Sequence, residues 1–144
     1  MKTNKMMQLI GVHAVKHSDL GFNDKLFGGQ ILKWVDGDAV AYAMELCDTP
    51  RVVTVAIDKC VFQKSAAQGN VIKIYANISV IGNTSITLNI EARRHNVYNG
   101  RQTTILSTNV KFVRVDEEGA SIPISERVKL KFKKLNQNKE DDRN

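Results

Sequence analysis

Cysteine is scarce in this 144-residue chain: Cys47 and Cys60 are the only two, and neither belongs to a CxxC pair or a Cys/His cluster. That spacing gives no support to zinc, iron–sulfur or thioredoxin-type redox chemistry, and the thiols read as buried and reduced. Prolines are equally few, Pro50 and Pro123, so helices and strands can run long without interruption. Aromatic residues make up only 6%, with a single tryptophan, Trp34. No continuous apolar run reaches the length of a membrane-spanning helix, so membrane insertion is not expected. The first residues, MKTNKMMQLIGVHAV, lack the apolar stretch and small-residue cleavage site of a secretory signal, and a cytoplasmic location is the expectation.

What is present is an ordinary globular composition, 42% apolar and 25% charged. A chain of this length can bury a core without metals or disulfides. The net charge is +6, yet residues 125–144 hold seven bases against four acids and so carry half of it. The expected organisation is therefore one domain over residues 1–124, followed by a basic, polar tail over 125–144. Within that tail, residues 128–132 can extend a helix or strand, and the composition beyond Lys133 favours disorder. Phe132 is the one aromatic residue within the basic run and no helix-turn-helix signal occurs, so nucleic acid is not an expected partner.

The hydrophobic period changes along the chain. Residues 8–16 can form a first strand. From residue 28 to residue 47, Ile31, Leu32, Val35, Ala39, Ala43 and Leu46 recur at three- and four-residue steps, which predicts one long helix ended by Asp48, Thr49 and Pro50. Its small residues suit a central helix approached closely by a sheet. Thereafter the period is 2, over residues 51–62, 70–81, 84–98 and 101–115, with turns at Gly69, Gly82-Asn83 and Asn99-Gly100. The connections are too short for helical crossovers, so successive strands are expected to pair antiparallel, in the order β-α-β-β-β-β. The class is α+β, with the helix on one face and a polar opposite face carrying Lys73, Tyr75, Asn77, Thr87, Asn89 and Glu91.

Four segments carry a family resemblance: FGGQILKWVD (27–36), RVVTVAIDKCVFQ (51–63), GNTSITLNIE (82–91) and FVRVDEEGASIP (112–123). In this order and spacing the chain resembles the hotdog-fold acyl-CoA thioesterases of the YciA and brain acyl-CoA hydrolase type. The resemblance implies an antiparallel sheet wrapped around one long central helix, hydrolysis of acyl-CoA to the free acid and coenzyme A, and no cofactor beyond the CoA of the substrate. It also implies self-association as a homodimer, and as a hexamer made of three dimers.

For the site, the resemblance points to Asp36 as general base or nucleophile. On a helical wheel alone, Asp36 and Asp38 flank the apolar stripe at similar angles, and pattern does not choose between them; the resemblance leaves Asp38 as a helix-surface or interface charge. A single carboxylate suffices chemically, because a thiolate is a good leaving group and what remains necessary is a base and an oxyanion partner. Gly28, Gly29 and Gln30 open the helix, where unpaired amides can polarise a carbonyl and glycine lets the ligand approach. The family's loop before FGG carries Asn and, three residues later, Gly; this chain has Gly21 and Asp24 there, with Asn23 as the substitute candidate. Gly82, Thr84 and Ser85 match a GxTS turn near the coenzyme, Lys64 is a candidate phosphate partner, and Thr54 stands on a strand that lines the neighbouring subunit's site in the family. No GxSxG elbow occurs, and His13, His17 and His95 have no motif context, which disfavours a serine triad. The alternative is a non-catalytic acyl-CoA-binding or regulatory protein of the same fold.

Overall fold

The computed structural model describes residues 6–141. Strand β1 (Gln8–Ala14) leads through a 3-10 turn (His17–Asp19) to helix α1 (Gly28–Cys47), followed by strands β2 (Val52–Phe62), β3 (Val71–Ile81), β4 (Ser85–His95) and β5 (Gln102–Arg114) and helix α2 (Glu126–Asp141). The five strands form one antiparallel sheet in the order β1-β3-β4-β5-β2. It wraps α1, which touches all five strands. This is the hotdog arrangement.

Helix α1 presents Ile31, Val35, Ala39, Ala43 and Cys47 to the core at four-residue steps. Period-2 alternation turns Ile72, Ile74 and Ala76 of β3 and Ile86, Leu88, Ile90 and Ala92 of β4 onto the same interior. On β5 a register shift opposite Ala92/Arg93 lets consecutive residues Ile105 and Leu106 both face inward. The outer face is polar as expected, with Asn89 donating to Asn77 at 2.9 Å and Arg93 lying over the Tyr75 ring at 4.1 Å.

Two expectations are corrected. Strands β2 and β3 are not neighbours: β2 pairs with β5 and forms one edge of the sheet, while β3 pairs with β1 and β4. Residues 63–70 between them cross the end of the domain and bond to the segment before α1, with Leu26 N–H donating to Ala66 O at 2.8 Å and Val15 N–H to Asn70 O at 2.9 Å. Alternation defines which face a residue occupies and not which strand lies beside it. Helix α2 also continues past Lys133, where disorder is expected, as far as Asp141 among the described residues. Val128 and Phe132, one turn apart, are buried in the core, Arg127 pairs with Asp48 at 2.9 Å, and Lys129 donates to Asn83 at 2.9 Å.

Candidate active site

The expected acid is held by a neighbour on the sheet. Asp36 stands half-buried on the flank of α1 that faces β2, where its Oδ1 accepts a hydrogen bond of 2.8 Å from the Thr54 hydroxyl. The contact joins residues of the same protomer. Thr54 takes the inward position on β2 opposite Phe112, whose other neighbour across the sheet is Ile86.

The helix begins two turns below. Phe27 is the N-cap, without a side-chain cap bond, and its carbonyl already receives Gln30 N–H at 3.0 Å and Ile31 N–H at 3.3 Å. The Gly28 and Gly29 amides occupy the first two helical positions, where no carbonyl of the helix can reach them. Gly29 precedes Asp36 by seven residues, so both lie on nearly the same face, about 10 Å apart along the axis. A Cβ on Gly28 would sit 3.2 Å from the Phe62 ring, and one on Gly29 would stand 2.7 Å from the Phe27 ring. A side chain at either position would have to push an aromatic ring aside.

The remaining candidates are dispersed. Asn23 is exposed and accepts Lys25 N–H at 3.3 Å, which closes its own turn. Lys64 is exposed just beyond Phe62, at the end of the domain where α1 starts. Gly82, Thr84 and Ser85 lie at the opposite end: Gly82 N–H donates to Ser85 O at 2.8 Å, Thr84 O accepts Arg114 N–H at 2.9 Å, and a Cβ on Gly82 would collide with Ser85 Oγ. This turn borders a cleft of about 830 Å³ lined also by Tyr42, Leu46, Ile78 and Phe132, which does not include Asp36. Burial pushes the thiols of Cys47 and Cys60 up from their ordinary value, which keeps both protonated and unreactive near neutral pH. Among the described residues, no group of three or more His, Cys, Asp or Glu side chains could hold a metal ion.

Asp38 has a partner within the fold. It is not a free surface charge, because His13 Nε2 donates to its Oδ2 at 2.7 Å and the His13 ring stacks on Trp34 with centroids 4.6 Å apart. Twenty-five residues separate the pair in sequence, and only the folded neighbourhood of β1 and α1 brings them together.

A curled antiparallel sheet around one long helix, with a paired carboxylate on each flank of that helix and glycines at its start, is the framework of hotdog thioesterases. The chain belongs to the thioesterase superfamily, whose family model matches residues 23–99. It is 31% identical to the acyl-CoA thioester hydrolase YciA of Escherichia coli, over 71% of this chain and 79% of that protein. An uncharacterized acyl-CoA thioester hydrolase of Buchnera aphidicola subsp. Schizaphis graminum is 30% identical over 82% of this chain and 90% of its own length. Among solved structures, the hexameric hotdog fold thioesterase of Campylobacter jejuni superposes with a TM-score of 0.76 at 32% identity, covering 88% of this chain and 96% of that one. No described helix is long and apolar enough to cross a membrane.

Proposed function

We propose that the protein hydrolyses acyl-CoA thioesters to a carboxylic acid and coenzyme A, with Asp36 supplying the catalytic carboxylate. The observation that carries this reading is the 2.8 Å bond from Thr54 to Asp36 Oδ1, which orients the carboxylate and leaves its other oxygen available to the substrate. As a general base, Asp36 takes a proton from water, the resulting hydroxide attacks the thioester carbon, and the C–S bond breaks with release of the thiolate. As a nucleophile, it attacks the thioester carbon and expels the CoA thiolate to form a mixed anhydride, which water then cleaves to the free acid and the regenerated carboxylate. Both need the ionised carboxylate and neither needs a group beyond water and the CoA of the substrate.

The Gly28 and Gly29 amides stabilise the oxyanion, and the opening residue Gln30 flanks it. The separation of about 10 Å between these amides and Asp36 on one helix favours a site completed by a second protomer. Strand β2 supports that arrangement: it is a sheet edge, and Val53, Val55, Val61 and Phe62 are exposed on it. The assembly is a homodimer across this edge, built up to a hexamer of three dimers like the Campylobacter relative. Gly82, Thr84 and Ser85 contact the coenzyme, Lys64 pairs with its phosphates, and Asn23 borders the entrance. The catalytic domain is residues 1–124, and α2 buttresses it.

Asp36→Asn tests the reading, because it keeps side-chain size and removes the base. Turnover should fall by about 10²–10⁴-fold, while a nonhydrolysable acyl-CoA analogue still binds within a few-fold of the parent. Near-full activity in a correctly assembled Asp36→Asn oligomer would overturn the assignment.

A further inference from the structure

Helix α1 is tied to the sheet at both edges by its own acids. On one flank Asp36 accepts from Thr54 of β2; on the other Asp38 accepts from His13 of β1, and β1 and β2 are the two outermost strands. Residues two apart on a helix point about 200° apart, so the two bonds pull from opposite sides.

The second tie is a fitted arrangement and not a chance surface pair. His13 and Asp38 retain only 24% and 20% side-chain exposure. An ionised carboxylate can only accept, so Nε2 of His13 carries the proton. Trp34, one turn before Asp38, lies against the imidazole at an interplanar angle of 8° and restricts its rotation. Gly11, the other inward residue of this part of β1, leaves the volume into which Asp38 projects; a Cβ there would overlap the carboxylate.

Between the flanks, α1 meets the sheet partly through the small side chains of Ala39 and Ala43, which interlock little with their neighbours. Ties at the two flanks therefore add to the packing of Ile31 and Val35 in fixing the roll of α1 about its axis. A roll of about 10° moves a side-chain tip, about 5–6 Å from the axis, by about 1 Å, and an error of 1 Å at a reacting group can cost on the order of 10²-fold in rate.

From this geometry we infer that His13, Asp38 and Trp34, with the space left by Gly11, form a positioning clamp that sets the roll of α1 and so holds Asp36 at the thioester. The inference rests on the reading of Asp36 as the catalytic carboxylate. None of the clamp residues touches substrate.

The test compares Asp38→Ala, His13→Phe, Gly11→Ala and Asp38→Asn by steady-state hydrolysis, with oligomer mass measured in parallel. The first three should lower kcat by about 10–10²-fold with KM within a few-fold, since orientation and not binding is lost. Asp38→Asn keeps an acceptor oxygen for His13 and should stay within a few-fold of the parent. In a Thr54→Val background, Asp38→Ala should cost clearly less than it does alone, because both act through the position of Asp36. Undiminished kcat for Asp38→Ala and His13→Phe in oligomers of the parent mass, or strict additivity with Thr54→Val, would overturn the clamp. Should those variants fail to assemble, the unmodified protein decides: a slowly exchanging His13 Nε2 proton is expected by NMR, and exchange at the solvent rate overturns the inference. An active Asp36→Asn variant defeats the catalytic assignment itself, whereas inactive Asp36→Asn beside fully active Asp38→Ala defeats the clamp alone.

Discussion

A threonine hydroxyl 2.8 Å from a carboxylate is the smallest unit of this site, and it sets what single substitutions should do. Thr54→Val removes the donor at nearly constant volume, so Asp36 loses its orienting partner; a hydrogen bond to a charged group contributes about 1.5–3 kcal/mol. Turnover should drop about tenfold or more, read as kcat in a thiol-release assay, with the fold unchanged by circular dichroism. The cysteines should behave oppositely. Burial keeps both thiols protonated, so a Cys47→Ala, Cys60→Ala double variant should retain turnover, and loss of activity in a folded oligomer would make a thiol the nucleophile. At this scale the legibility was uneven. The FGG-to-Asp36 segment pointed to Asp36 as the proposed acid only through family likeness, whereas the His13–Asp38 pair left no local pattern because its members sit on different elements.

Among the elements, α1 was the most legible because one face repeats apolar residues at four-residue steps with no proline inside it. The strands were legible from their period-2 alternation, with Gly82 and Gly100 at their turns. Their neighbours were not: pairing of β2 with β5 depends on how residues 63–70 cross the domain, and no residue in that segment encodes the destination. Helix α2 was hidden by its composition, since Val128, Leu130 and Phe132 stand among lysines and only the folded core shows that Val128 and Phe132 are buried. That packing yields a pair of contrasting outcomes. Phe132→Ala should destabilise the fold by about 3–5 kcal/mol, measured by urea denaturation of the assembled protein. Removing residues from Leu135 onward leaves Val128, Phe132 and the Arg127–Asp48 pair in place and should preserve turnover.

For the whole molecule, the exposed apolar edge of β2 and the distance between the helix-start amides and Asp36 both argue for a site built from two copies. Light scattering should report a multiple of 16.1 kDa, a hexamer in the proposed assembly, and a monomer at micromolar concentration would remove the shared site. The fold by itself does not make an enzyme, since the same framework can hold acyl-CoA without cleaving it. The direct measurement is therefore thiol release by the assembled protein from acyl-CoAs of about two to eighteen carbons, the span over which buried chain length varies binding most. Catalytic release of coenzyme A is expected over part of that range, lowered about 10²–10⁴-fold by Asp36→Asn. Tight binding of an acyl-CoA analogue with no thiol released at any chain length would contradict it and define a binding protein instead.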